Sequence, residues 1–475
     1  MDIQARAVTA DRVVREARTT RRLAWLSAAL SALVVSANLS VMSVAFDSLR
    51  RSFPGTQLSV LGWVLSIYTI VFGAFLVPAG RLADHLGRRV MFRAGLVIFA
   101  AASLVAGLAP AIWVVIVGRV GQGIGAACLV PSTLGLLLDA LPADQRASAT
   151  AFYSAVASVG GALGPTLGGV LVQHGGWRWA FFIAPVFALL AWVTGRTSLP
   201  HTERTSTGPL PDNLGAILIV IGLTAMSLGI VESRDWGWLD ARIIGSFVAA
   251  VAVVPLFVRR SRRHPVPILP IELTAIRSFS MANIASAIYG MSTGALLFST
   301  VLFLRDVWGY SVVAAGSGLL PLGLASIVSS LLVGRLGNRF GERAVGLPGS
   351  LVVASGMGYL AWRAGPSAAF VRDWLPGGAI IGFGMGLTYP MIGAACVREV
   401  GMSDLSVASA SNRMTLQIGN AIGIALVIAI LGDAHGVETL DRMRVAWAVT
   451  AGLAVAVGGA IAALGPPRRA LRARR

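Results

Sequence analysis

The sequence predicts an all-α membrane protein of fourteen helices, in which two six-helix halves flank an extra central pair. Three observations predict it. Of 475 residues, 56% are hydrophobic and only 13% charged, with a mean hydropathy of +0.76. A soluble domain is about a quarter charged, and a soluble core cannot hide this much apolar surface, so a bilayer is the natural solvent. All 39 basic residues are arginines, and they lie between apolar stretches, as topology signals do. That placement, rather than nucleic-acid binding, accounts for the net charge of +18. Finally, residues 80–89 read GRLADHLGRR and residues 334–343 read GRLGNRFGER, with five of ten positions matching. The second half therefore repeats the first.

The elements follow in order. Residues 1–22 form a basic tail, and residues 23–196 hold six spans, near 23–46, 58–79, 91–108, 112–135, 150–172 and 179–196. The extra pair occupies 213–258, near 213–232 and 241–258. The second half, 280–464, holds spans near 280–304, 311–333, 345–364, 374–397, 407–432 and 444–464, and 465–475 is a second basic tail. Each must be helical, because lipid offers no partner to open backbone groups. With the N-terminus in the cytoplasm, 28 arginines fall on cytoplasmic segments and 10 on external ones, leaving Arg119 within span 4. The positive-inside rule thus places both termini in the cytoplasm. Val35-Ser36-Ala37 looks like a leader cleavage site, but the apolar run continues to Phe46, so a span is expected instead.

Chemistry is sparse. Cys128 and Cys396 have no motif spacing and read as packing residues. There is no legible nucleophile–base set, metal cluster or phosphate loop, so neither an enzyme nor a cofactor is expected. Gly121, Gly123 and Gly125 lie in a membrane helix, where a nucleotide cradle is implausible.

Three motifs carry the functional reading. In the loop after span 2, Gly80 and Gly87 permit a tight turn, Asp84 stands four residues before Arg88 where a helical turn lets them pair, and Arg89 follows. In span 4, Arg119-Val120-Gly121-Gln122-Gly123 puts a charge deep in the membrane at a cost of ~2.5 kcal/mol or more, so it must face a polar cavity or partner. In span 5, Gly160, Gly164 and Gly168 recur every four residues as a smooth face, and Pro165 bends the helix.

These motifs resemble those of the major facilitator superfamily, in its fourteen-span drug:proton antiporter branch, and the resemblance runs from span 1 to span 13. Weaker matches are Gly176-Trp177-Arg178-Trp179, where Trp suits an interface, Pro267 to Leu273, Trp308 to Ser311, and Gln417 to Asn420. The resemblance implies alternating access around a cavity near the midplane. It implies that Asp84 and its arginines latch the two halves, that Arg119 handles protons or substrate, and that the span 5 motif marks an exporter. In the second copy Asn338 replaces the acid. The branch carries an aspartate in span 1 where this chain has Asn38, which has no ionisable proton, so ordinary proton coupling is in doubt. Counting ~1.5 Å per residue, Asn38 and Arg119 fall at similar depth, giving a positive site that favours neutral or anionic ligands. Expected lining groups are Asn38, Trp63, Tyr68, Arg119, Gln122, Tyr153, Tyr289 and Tyr389, aromatic bodies with polar tips that suit an amphipathic substrate. The expected function is export of a small amphipathic molecule across a bacterial plasma membrane. The alternatives are a lipid or metabolite exporter without proton coupling through span 1 and, more remotely, a non-transporting sensor.

Overall fold

The computed structural model describes residues 2–141, 145–199, 212–401, 404–432 and 437–465. The basic tail after 465 and the side chains of residues 2–18 and of Asn338 lie outside what is described. The first half comprises α1 (Asp2–Ser52), α2 (Leu58–Leu86), α3 (Arg88–Gly107), α4 (Ile112–Asp139), α5 (Arg146–Gly175) and α6 (Trp179–Ser198). The extra pair is α7 (Asn213–Val231) and α9 (Ala241–Arg263), joined through the short α8 (Ser233–Trp236). The second half comprises α10 (Arg277–Leu302), α11 (Val312–Ser317) with α12 (Leu320–Phe340), α13 (Glu342–Arg363), α14 (Leu375–Val397), α15 (Leu405–Leu431) and α16 (Val437–Ala462). Among the described residues, twelve helices are long and apolar enough to cross a membrane, and α1, bent by 45° between Asn38 and Val41, makes a thirteenth. At ~1.5 Å per residue, the 30-residue α5 is also long enough to cross.

The repeat seen in sequence is a repeat of packing. In the first half α1 packs on α5 and α6, α3 on α4 and α6, and α2 on α4; in the second, α10 packs on α15 and α16, α13 on α14 and α16, and α12 on α14. The halves meet along a seam where α2 faces α15, α5 faces α11, and α1 touches α10. Small residues permit these approaches. A Cβ at Gly419 or Gly423 of α15 would lie 2.0 or 2.1 Å from the Ala287 or Met291 carbonyl of α10.

The extra pair sits against the seam. Helix α7 packs on both α2 and α15, with Ala216, Val77 and Met414 in one buried cluster. Asp212 caps α7 by accepting from the Gly215 amide at 2.8 Å, and also accepts from Arg260 at 2.5 Å, which ties α9 to α7.

Two ends can be told apart. One carries the α2–α3 turn at Gly87 (φ 97°), its repeat at Gly341 (φ 85°), and the last-turn arginines of α9. Both turns need the positive φ that glycine adopts without strain. This is called the arginine-rich end, and the opposite one the far end.

Candidate functional site

Arg119 is wholly buried among α1, α2, α3 and α4. Its Nη1 donates to Gln122 Oε1 at 2.8 Å and to Asn38 Oδ1, and its Nε donates to the Val64 carbonyl at 2.7 Å. The guanidinium lies 4.3 Å from the centre of the Tyr68 ring. Gln122 in turn donates to Ser103 Oγ at 2.7 Å. Every partner is neutral, and among the described residues no carboxylate pairs with Arg119. Among the described residues its Nη2 has no hydrogen-bond partner. A low-dielectric cluster of this kind keeps a positive field, because no opposite charge cancels it.

The other expected lining residues do not join this cluster. Tyr289 and Tyr389 stack on each other in the second half, ring centres 5.5 Å apart. Tyr153 is buried beside Ala28, Ala32 and Leu137 in a separate cluster. Trp63 is half-buried on α2. The expected aromatic lining residues thus lie in four separate places, because equivalent helices of the two halves carry different side chains. Trp177, expected at an interface, is buried against Phe53 and Phe181, while Trp179 is exposed.

The span 5 motif works on two faces of α5. A Cβ at Gly160 would lie 2.2 Å from Ser36 Oγ, and one at Gly168 would lie 2.7 Å from Val41 Cγ1, so this face packs on α1. Gly164, between them, is buried. The next face meets the other half. A Cβ at Gly169 would lie 2.9 Å from the Val312 carbonyl, and the Pro165 carbonyl would lie 2.2 Å from a Cβ at Gly316. Two turns back on the same face, a Cβ at Gly161 would meet nothing within 4 Å among the described residues. The seam is thus in close contact toward the far end.

Charge reinforces the closed end. Asp47, buried near the end of α1, accepts from Arg51 at 2.5 Å and Arg50 at 3.3 Å, and also from Arg305 beyond α10. Arg50 also reaches Asp306 at 3.3 Å. Two ion pairs therefore join α1 to the π-turn Phe303–Val307 of the other half. Which end of which half these acids meet is set by the packing.

The loop motif makes bonds within its own half, and its Arg81 also lies within electrostatic reach of Asp404, just before α15 of the other half. Arg88 donates to Asp84 at 3.4 Å, the pair expected from spacing, but more closely to Asp139 at the end of α4, at 2.9 Å. Its stem crosses Gly135, where a Cβ would lie 2.7 Å away. Arg89 donates to the Arg196 carbonyl of α6. These bonds of Arg88 and Arg89 bind helices of one half. Gly80 lies over Pro131 of α4 at ordinary contact distance. In the second copy the charges are exchanged: Glu342, aligned with Arg88, accepts from Arg398 beyond α14 at 3.4 Å.

Comparison with known proteins agrees with this architecture. The profile described as Major Facilitator Superfamily matches residues 24–424. A cephamycin export protein of Amycolatopsis lactamdurans is 31% identical over 88% of each chain. A puromycin resistance protein of Streptomyces alboniger is 32% identical over 86% of this chain and 82% of its own. A lincomycin resistance protein of Streptomyces lincolnensis is 30% identical over 98% of this chain and 95% of its own. The crystal structure of the POT family transporter PepTSo superposes with a TM-score of 0.69 over 96% of this chain and 99% of its own, at 13% identity, a likeness of fold alone. A duplicated six-helix bundle, a profile match over most of its length and relatives at this level make the chain a multi-pass membrane protein that belongs to the major facilitator superfamily.

Proposed function

We propose that the protein is a secondary active exporter of small amphipathic molecules in a bacterial plasma membrane. The arginine-rich end and both termini face the cytoplasm. The far end faces outward. One observation carries this reading: α5 meets α11 tightly at Gly169 and Pro165, whereas on the same face a Cβ at Gly161 would meet nothing within 4 Å among the described residues, between two halves with the same internal packing. Such halves rock about a central site, opening one end as they close the other. The Asp47–Arg305 pair is the charge that holds the outer end shut in this state. The relatives named for antibiotic export or resistance support the direction and the drug-like substrate.

Arg119, with its free Nη2 and neutral neighbours, makes neutral or anionic substrates the favoured class. Proton exchange through α1 is not part of this reading, since Asn38 has no proton to give or take over the working range. Uptake of a cephamycin, whose carboxylate is ionised at neutral pH, into inside-out vesicles is the test. Accumulation above vesicles without the protein supports export, and its absence, with ethidium accumulated instead, contradicts both direction of preference and site charge.

A further inference from the structure

We propose that Arg413 of α15 is the anion-binding group of the fissure between the halves, and that its ligands are aromatic or amphipathic carboxylates and sulfonates. The proposal rests on reading the chain as a carrier with its central site between the halves.

Arg413 lies in the span Val407–Leu431, only a few residues from its start, so at ~1.5 Å per residue it stands roughly 10 Å inside the membrane-spanning part. A charge at that depth is costly unless it meets water or a partner. Arg413 is exposed, and among the described residues it makes no ion pair or hydrogen bond. Ser409, one turn earlier, is exposed on the same stripe, whereas Gln417 and Asn420, one and two turns later, are buried. The open stripe of α15 therefore ends at this guanidinium.

The neighbours say where the stripe faces. Arg413 lies within electrostatic reach of Tyr389 on α14 and of Tyr153 on α5, a helix of the other half. On α15, Gln417 packs on Gly73 of α2 while Leu416 and Asn420 pack on Gly290 of α10, and Arg413 falls between these contacts on the helix surface, so it projects between the halves rather than into lipid. It does so on the side where Gly161 of α5 meets open space. Of the stacked pair Tyr289 and Tyr389, the first is buried and the second half-exposed, so Tyr389 is the ring a ligand can reach. An unpaired guanidinium beside an accessible aromatic face suits a ligand that combines an acid with an apolar body: the arginine fork takes a carboxylate or sulfonate in two parallel hydrogen bonds, and the phenol ring covers the apolar part.

The test uses the native thiols' burial. Cys128 and Cys396 are both buried, so a single Gly161→Cys substitution reports on the fissure. In the full-length protein in liposomes, the introduced thiol is labelled with an anionic and with a cationic thiosulfonate reagent of similar size. With Arg413 present the anionic reagent is favoured, and Arg413→Gln lowers the anionic-to-cationic rate ratio by about 10-fold, as a unit charge acting on two opposite probes requires. Arg413→Lys keeps most of that ratio, which guards against a merely structural effect. The cephamycin cefoxitin at millimolar concentration slows labelling of the introduced thiol, and Arg413→Gln abolishes the protection. An unchanged ratio in Arg413→Gln means the side chain turns away along the helix to water, and overturns the proposal. So does an absence of cefoxitin protection, or protection that survives the substitution. Vesicle uptake tests the carrier reading separately, since labelling requires no transport.

Discussion

The two halves share a scaffold and differ in what they bury at equivalent places. In the first half, α1, α2, α3 and α4 enclose a charge with neutral amide, hydroxyl and ring partners: Arg119, Asn38, Gln122, Ser103 and Tyr68. In the second half, α10 and α14 meet through stacked Tyr289 and Tyr389, and α14 carries glycines where a charge would not fit. A Cβ at Gly382 would lie 2.0 Å from the Leu322 carbonyl, and one at Gly386 would lie 2.1 Å from Ser329 Oγ. The duplication supplies the hinge-like symmetry. The chemistry comes from the departures at these equivalent places, a networked arginine in one half and stacked rings beside close-packed glycines in the other.

Substitutions can break this comparison at several strengths. Arg119→Leu has the largest expected effect. It removes the positive field and strands Asn38 and Gln122 without their donor, at about 1–3 kcal/mol each, and cephamycin uptake should fall at least ~100-fold. Tyr289→Phe, at the contrasting place, removes one hydroxyl from a stacked pair and should change uptake less than ~3-fold. Equal losses from the two would erase the distinction between the halves.

Next come changes at the far end, where the halves touch. Gly316→Val places side-chain atoms against the Pro165 carbonyl, and Asp47→Asn removes the charge that holds Arg305. Each should lower uptake by about 10-fold, because the state closed at the far end loses that closure and population shifts toward the other state. A cysteine at the buried Val44, which packs with Val301 and Leu319 across the seam, should become reactive to an external thiol reagent in both backgrounds. Unchanged reactivity would mean that the outer end is held by something else.

The smallest effects belong to the turn motifs. Arg88 and Asp139 are each about one-third exposed, and such pairs are worth ~0–1 kcal/mol. Arg88→Ala and Glu342→Ala should each reduce uptake only ~2–5-fold by that measure. Exchanging charges in the first half, Arg88→Glu with Asp139→Arg, copies the second half's arrangement and should recover most of the loss. Failure of the exchange to recover any activity would give Arg88 a role beyond joining α3 to α4.

Much of this was legible in the chain. Apolar length located the helices, since each span must satisfy its own backbone. Helix rise put Asn38 and Arg119 at one depth, and the structure joins them by a hydrogen bond. The four-residue spacing of Gly160, Gly164 and Gly168 announced a close helix contact, here with α1. What spacing could not give was the partner across space. Asp139 as Arg88's nearer acid, Arg305 as Asp47's partner, and Gly316 beneath Pro165 all depend on which helix ends abut. Arg413 does not stand out in sequence, where an arginine near a span end looks like a topology signal; its exposure within a span is a property of the packing.

The central claim is that the halves rock apart at the far end during each cycle. Gln173 Oε1 of α5 lies 3.5 Å from the Val313 amide of α11, across that closed end. With Gln173→Cys and Val313→Cys joined by a short bifunctional thiosulfonate, cephamycin uptake into inside-out vesicles should stop. It should return when the link is reduced, and either cysteine alone should transport normally. Full uptake by the cross-linked protein would contradict the account.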